Sequence, residues 1–341
     1  MTTRTRYFVI VSLLVLGIGL GTGLVAYYVG FPAGAFAKHA GPEELGFIPR
    51  DATVIAFANV QEIMTSDVRQ RLRSRLPLKE DGQRELQDRT GINLESDVDR
   101  VVACLHPDTT TTNMPGAGMI LARGRFDEAK IEALMRDHGA HVEDYRSKRL
   151  IVGEFHEAQG NSFALSFMEP GLAVFGSTKL VRSAIDLHQA GDNPQAGLQS
   201  VVGNEELMDL VHALDTGNNA WAVGRFDALT SKAHLPDDLS TRLPAITWFS
   251  VSTHIDGGIR GVIRADARDE EAANNLRDVV RGFMALAKMQ AGSRPEMQAM
   301  MQSLELGGAG KTVALSFDVP SQVFDAIGAI AGQKGIRPPV H

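Results

Sequence analysis

The sequence predicts an α+β protein in which an N-terminal transmembrane helix precedes a duplicated body of antiparallel sheets, each covered by helices. An uncharged apolar run fills residues 7–29. Strand-like and helix-like segments alternate after it, and their order repeats beyond a turn-rich stretch at residues 190–200. With 341 residues, of which 44% are hydrophobic and 22% charged, the composition is that of a folded chain.

The apolar run has the length of a membrane span. At a rise of 1.5 Å per residue, a helix over residues 7–29 covers roughly 34 Å, enough to cross a hydrocarbon core of about 30 Å. Arg4 and Arg6 precede the run, so the positive-inside rule places residues 1–6 in the cytoplasm. The sequence therefore predicts a single-pass protein of the bacterial inner membrane whose body is periplasmic or extracellular, with membrane lipid contacted through residues 7–29.

A cleaved signal peptide is the alternative to a retained anchor, because Ala35-Phe36-Ala37 resembles a cleavage site. The apolar run is, however, longer than the hydrophobic part of most signal peptides, and the site lies well beyond its end. Both interpretations leave the body outside the cytoplasm. Residues 30–50, rich in glycine, alanine and proline, are predicted to be a juxtamembrane linker.

Glycine recurs inside the predicted span. Spacings of four residues between glycines allow two transmembrane helices to approach closely, so a homodimer through this helix is one interpretation. The other is that glycine is simply frequent in transmembrane helices. The candidate association face consists of Gly17, Gly19, Gly21 and Gly23.

The body is predicted to consist of two α+β repeats, residues 51–190 and 201–333, followed by a C-terminal tail at 334–341. The strand-like segment Val54–Val60 matches Ala220–Phe226 in its pattern of apolar and small residues. Each repeat is expected to form an antiparallel sheet with helices on one face.

Charge and cysteine content limit the possible functions. The formal net charge is −7, which makes nucleic acid an unlikely partner because phosphate binding needs a basic surface. Cys104 is the only cysteine, so no intrachain disulfide can form. It lies in an apolar, strand-like run and is predicted to be a buried, inert thiol.

No catalytic, cofactor-binding or metal-binding residue is predicted. Residues 307–312 resemble a phosphate loop, but a strand-like run follows them where a helix would be needed. His138, His141 and His156 form the densest group of metal-ligand types. Because Gly139 interrupts the first two, they are not expected to converge as a zinc site requires.

Two clusters are candidate contact surfaces. Four arginines on one helical stretch can contact lipid headgroups or form a solvated, ion-paired face; they are Arg69, Arg71, Arg73 and Arg75. Five methionines of the late helices can form a partner or ligand surface, or fill the core; they are Met284, Met289, Met297, Met300 and Met301.

About a third of the chain resembles bacterial single-pass membrane-anchored proteins of unknown function. The resemblance lies in the runs Ile48–Val54 and Thr90–Leu94, and in Asp97–Asp99 before the next strand. It implies an exported or anchored α+β body and carries over no catalytic residue.

The predicted function is a membrane-tethered, extracytoplasmic, non-enzymatic module that binds a protein partner or serves as an accessory subunit of an envelope complex. Two alternatives remain: a carrier or sensor of a small apolar ligand, and a hydrolase whose site is assembled from distant residues.

Overall fold

The computed structural model describes residues 41–75, 93–107, 118–154, 162–191, 194–215, 217–226, 246–291 and 295–324. Several predicted features lie outside these ranges: the span at 7–29 with its four glycines, the linker before Gly41 and the tail at 334–341. Among the described residues, no helix combines the length and apolar character that crossing a bilayer requires.

The strands form one continuous twelve-stranded antiparallel sheet with the order β11-β12-β10-β9-β8-β1-β2-β3-β7-β6-β5-β4. Most strands coincide with apolar runs of the sequence. Their bounds are β1 Val54–Asn59, β2 Val98–Leu105, β3 Gly118–Gly124, β4 His141–Tyr145, β5 Lys148–Glu154, β6 Ser162–Glu169, β7 Leu172–Ser177, β8 Ala220–Arg225, β9 Ile246–Ile255, β10 Gly258–Ala267, β11 Glu305–Gly307 and β12 Thr312–Pro320.

Nine α-helices and two 3-10 helices lie within the described residues. The α-helices are α1 Val60–Thr65, α2 Asp67–Arg75, α3 Leu94–Asp97, α4 Glu128–Asp137, α5 Thr178–Ala190, α6 Pro194–Gln199, α7 Glu205–His212, α8 Glu270–Ala291 and α9 Pro295–Gln302. The 3-10 helices are Glu43–Phe47 and Val201–Gly203. Ser177 caps α5, because its side chain accepts a hydrogen bond from the Leu180 amide.

The prediction of two separate sheets is wrong, because β1 and β8 pair at the centre of a single sheet. Val54 lies opposite Gly224, and Ala58 lies opposite Ala220. On each side of this seam three antiparallel neighbours are followed by helical sequence, and a later strand returns beside the third: β7 lies beside β3, and β12 lies beside β10. Mixed helix and sheet, with a large antiparallel sheet, is therefore the fold class.

Helices cover both faces of the sheet, and not one face as predicted, because both faces carry apolar side chains. On the first face, which includes Ile55 and Val102, the main core packs beneath α5, α7 and the two 3-10 helices. On the second face, which includes Ala58 and Val101, α1 covers the central strands. The helices α4 and α8 cover the outer strands of this face around Ile131 and Leu276.

One register row on the second face is apolar across all twelve strands. Each residue of this row is the cross-strand partner of the next residue, on the neighbouring strand. We call it the apolar row; it consists of Val142, Ile151, Leu165, Phe175, Ile120, Ala103, Ala56, Ala222, Val251, Ile263, Leu315 and Leu306.

The described part of the predicted linker packs against the sheet. Leu45 and Ile48 are buried in the main core, so the folded body begins before residue 50. This segment runs across the first face and leads into β1.

Candidate functional site

Among the residues that the structure describes, a concave surface lies where the N-terminal segment enters the body. Residues 48–50 pair with residues 199–201 much as two short strands do. The Arg50 amide donates to the Gln199 carbonyl (2.9 Å), and the Val201 amide donates to the Ile48 carbonyl (2.8 Å). Pro49 and Ser200 form an antiparallel bridge between these bonds.

Asn204 joins this pairing to α7. Its side-chain oxygen accepts a hydrogen bond from the Leu207 amide (3.2 Å), which caps the helix. Its amide nitrogen donates to the Arg50 carbonyl (2.9 Å). The two walls of the surface are therefore fixed to each other by two backbone hydrogen bonds and by the Asn204 side chain.

An open cleft of about 830 Å3 lies between these walls. We call it the junction cleft; it is lined by Pro49, Arg50, Asp51, Leu198, Gln199, Asn204, Glu205 and Glu206. At its edge Leu198 is 58% exposed, and Val202 in the neighbouring 3-10 helix is 50% exposed. Exposed large apolar side chains beside a cleft are typical of interaction surfaces.

The charge of the junction cleft is predominantly negative. Asp51, Glu205 and Glu206 contribute three carboxylates against the single guanidinium of Arg50. Asp51 is held in place by a buried histidine, because His106 Nε2 lies 2.7 Å from Asp51 Oδ2. The arrangement favours a ligand that presents a cationic group beside an apolar one.

A buried ion cluster fixes the segment just before the cleft. Glu44 is 1% exposed and accepts hydrogen bonds from Arg123 Nε (2.7 Å) and Arg100 Nε (3.1 Å). Arg123 also pairs with Glu169 (2.9 Å), which in turn lies 3.7 Å from His188. The cluster thus ties the first 3-10 helix to β2, β3, β6 and α5.

The two arginines outweigh the cost of burying the Glu44 carboxylate. Burial by itself raises the pKa of Glu44, but hydrogen bonds from Arg123 and Arg100 hold this pKa below its usual value. Glu44 therefore stays ionised near neutral pH, and its role is to hold the entering segment in place.

The predicted methionines whose side chains the structure describes differ in exposure. Met289 is 80% exposed and Met301 is buried, while Met284 and Met300 are half-buried. The side chain of Met297 lies outside the described residues. The described methionines therefore differ in burial: Met289 belongs to the exposed end of α8, together with Leu286, and Met301 belongs to the core.

The arginine cluster is described only in part. Arg69 and Arg71 are half-buried on α2, and Arg69 Nε donates to Met64 Sδ (3.3 Å). The side chains of Arg73 and Arg75 lie outside the described residues. Val68 of the same helix is buried.

The predicted buried thiol is confirmed. Cys104 is buried in β2, and burial raises the pKa of its thiol to about 12. Within the described ranges, no three His, Cys, Asp or Glu side chains are placed to share a metal ion. After Thr312 the chain continues as β12, the strand expected there.

The sequence alone does not predict the junction cleft. Its residues come from two segments about 150 positions apart, and no local pattern links them. The only signal was the run Ile48–Val54, which contains Pro49, Arg50 and Asp51.

Comparisons with known proteins add little to this picture. No family model matches the chain, and no curated protein matches it. Among solved structures, crystal form I of TP0453 is similar at a TM-score of 0.42, with 10% sequence identity over 85% of this chain and 98% of that chain. At that TM-score the likeness does not establish a shared function.

Proposed function

We propose that this chain is a membrane-tethered, extracytoplasmic module that binds a protein partner through the junction cleft. The observation that carries the proposal is an open cleft of about 830 Å3 whose lining includes the exposed Leu198, with the exposed Val202 in the neighbouring 3-10 helix. Its walls are fixed by backbone hydrogen bonds, so little ordering is needed on binding.

The position of the cleft supports an interaction close to a membrane. Residues 49–51 line it, and the uncharged run at 7–29 lies about 20 residues before them. A partner in the cleft would therefore be held near the bilayer. Its expected surface presents a basic side chain next to an apolar one, since carboxylates outnumber the guanidinium.

We also infer that the body arose by duplication. The β1–β8 seam is locally two-fold, because Ala56 pairs with Ala222 and the flanking pairs are symmetric about them. Strands β2, β3 and β7 on one side correspond in position to β9, β10 and β12 on the other. The likeness of Val54–Val60 to Ala220–Phe226 agrees with this correspondence.

Site-specific photocrosslinking of the full chain in cells tests the proposed partner. We expect benzoylphenylalanine at position 198 to give a discrete protein adduct, whereas the same group at the exposed Met289 gives none. Glu205→Lys combined with Glu206→Lys is expected to reduce the adduct about tenfold by reversing the charge of the cleft. Glu128→Lys, an exposed charge reversal on α4, is the matched control and should leave it unchanged.

Cysteine labelling of the full chain tests on which side of the membrane the body lies. Val202→Cys should react with a membrane-impermeant maleimide in intact cells, while Cys104 stays silent because it is buried with a pKa of about 12. Labelling at position 202 only after lysis would contradict the extracytoplasmic location. A crosslinking pattern with monomer alone, or an adduct insensitive to charge reversal, would contradict the docking role of the cleft.

A further inference from the structure

The chain enters the described body beside the helix whose first turn lines the junction cleft. Gly41 lies next to α7, since a Cβ built on Gly41 would lie 3.8 Å from Val211 Cγ1. Glu205 and Glu206, at the start of the same helix, line the cleft. At a rise of about 1.5 Å per residue, roughly 9 Å of helix separates Glu205 from Val211. The cleft is therefore less than two helical turns from the point where residues 30–40 join the body.

The residues just before Gly41 have the chemistry that the cleft favours. Phe36 and Lys38 occupy alternate positions, and in an extended segment such residues project to the same side. They present an apolar ring beside an ammonium group. The cleft offers the matching pair, which is the exposed Leu198 and the carboxylates at the start of α7. The two surfaces are therefore complementary in both polarity and charge.

The chain is long enough for this contact. An extended chain covers at most about 3.6 Å per residue, so Lys38 reaches up to roughly 11 Å from Gly41, and Phe36 up to roughly 18 Å. The segment after Gly41 runs towards the start of α7, where the Arg50 carbonyl accepts a hydrogen bond from Asn204. The preceding segment must therefore fold back. Gly41 has a φ of 110°, a conformation that glycine adopts readily in tight turns.

A C-terminal segment of similar chemistry, residues 334–337, begins much farther from the cleft. The chain leaves β12 at Pro320, at the end of the sheet opposite the start of β1. Four strand spacings also separate β12 from β1, which adds about 19 Å across the sheet. A short tether gives an effective concentration of about 1 mM, so a contact too weak to join separate molecules is populated within one chain. This proximity favours the segment before Gly41.

We propose that residues 36–39 of this chain dock in the junction cleft. Lys38 lies beside the two carboxylates of α7, and Phe36 packs against Leu198. This docking rests on the proposed function of the cleft, because it makes the linker an internal competitor of the protein partner. A partner binds by displacing the linker with a stronger version of the same pattern, an apolar side chain next to a basic one. The segment that leads to the membrane thereby regulates access to the cleft.

Disulfide trapping in the full chain tests this contact. Phe36→Cys combined with Leu198→Cys is oxidised in membranes, and linked peptides are mapped by mass spectrometry; Cys104 is retained because its thiol is buried. We expect an intramolecular disulfide between positions 36 and 198. Phe36→Cys with Met289→Cys is the matched control. Met289 is 80% exposed but belongs to α8, which covers the other face of the sheet, so trapping there should be at least about tenfold slower.

Charge reversal tests the ion pair. Lys38→Glu should slow trapping between positions 36 and 198 about tenfold, and it leaves α7 unaltered. Glu205→Lys with Glu206→Lys should slow trapping to a similar extent, and all three reversals together should restore it. Trapping that is equally fast in the control pair, or that is unaffected by Lys38→Glu, would overturn the proposed docking. A disulfide between two chains would overturn it as well, because the segment would then occupy the cleft of a second copy.

The partner adduct at position 198 separates the docking of the linker from the proposed function. If the linker competes with the partner, Lys38→Glu should raise the yield of this adduct about threefold or more, since a larger fraction of clefts is open. A partner adduct that does not respond to Lys38→Glu would overturn the competition and leave the proposed function in place. Charge-dependent trapping without any partner adduct would contradict the proposed function and support docking of the linker.

Discussion

At the scale of single residues, Glu44 is the most deeply buried charged side chain in the part of the chain that the structure describes. It is almost fully buried and accepts hydrogen bonds from two arginines on neighbouring strands. Replacing a buried ion-pair partner leaves the remaining charges without compensation, which costs more than the pair itself contributes. Glu44 therefore adds to the hold on the entering segment that Leu45 and Ile48 provide by packing in the main core.

We expect Glu44→Gln to lower the free energy of unfolding by about 2 kcal/mol at neutral pH. Because the folded-state pKa of Glu44 lies below the ordinary value of 4.5, its contribution is complete above that pH. The contribution disappears as the pH falls through the folded-state pKa, so the difference between wild type and variant should shrink in acid. Urea unfolding of the full chain in mild detergent at several pH values measures it.

Glu305→Gln is the control for this prediction. It removes an exposed carboxylate from β11 and should change the free energy of unfolding by less than about 0.5 kcal/mol. An equal effect of the two substitutions, or a difference for Glu44→Gln that stays constant into acid, would argue against the buried ion cluster as the anchor.

The ion cluster could not be predicted from the sequence. Glu44 and Arg123 are 79 positions apart, and each is an ordinary charged residue in its local context. Cys104, by contrast, was predicted correctly because its apolar neighbours in the strand report its burial directly. Residue-level prediction succeeded where the environment is local and failed where it is assembled from distant segments.

At the scale of secondary-structure elements, the hairpin of β4 and β5 contains strained backbone. Tyr145 pairs with Lys148 across a two-residue turn. The turn residues Arg146 and Ser147 have φ angles of 48° and 61°, the geometry of a type I′ turn that normally takes asparagine or glycine. A left-handed conformation at a residue with a Cβ costs about 1 kcal/mol or more.

Ser147→Gly is therefore expected to raise the free energy of unfolding by about 1 kcal/mol. Thermal unfolding followed by far-ultraviolet circular dichroism measures the change. The opposite sign is expected for Ser183→Gly in the middle of α5, where glycine should cost about 1 kcal/mol. Destabilisation by both substitutions would mean that the turn at Ser147 is not strained.

The strands that sequence analysis does not predict are the two edge strands. β4 has the sequence HVEDY, in which charged and polar residues outnumber apolar ones, and β11 is only three residues long. Short or charged edges protect a sheet from pairing with other chains. The same composition hides them from a search for apolar alternation.

At the scale of the whole molecule, the structure has one continuous sheet where the sequence predicts two. The two halves were predicted as separate sheets because nothing in a sequence indicates that β1 and β8, about 160 positions apart, pair directly. Their facing residues include Ala56, Ala58, Ala220 and Ala222, which are too small to predict a sheet centre by hydrophobicity. The main core nonetheless includes buried residues from both halves.

A continuous sheet with a shared core should unfold as one cooperative unit. Both tryptophans, Trp221 and Trp248, lie in the second half of the sheet, so their fluorescence reports that half. Ile185→Ala creates a cavity beneath α5 in the first half and is expected to cost about 2–5 kcal/mol. If the halves are coupled, this substitution must also move the tryptophan transition of the full chain to lower urea concentration, by the same amount as the transition seen by circular dichroism.

Leu276→Ala, in the second-half cluster under α8, supplies the comparison because it should shift both signals whether or not the halves are coupled. A tryptophan transition that stays at the wild-type midpoint in Ile185→Ala, while circular dichroism splits into two steps, would show that the seam between β1 and β8 does not couple the halves.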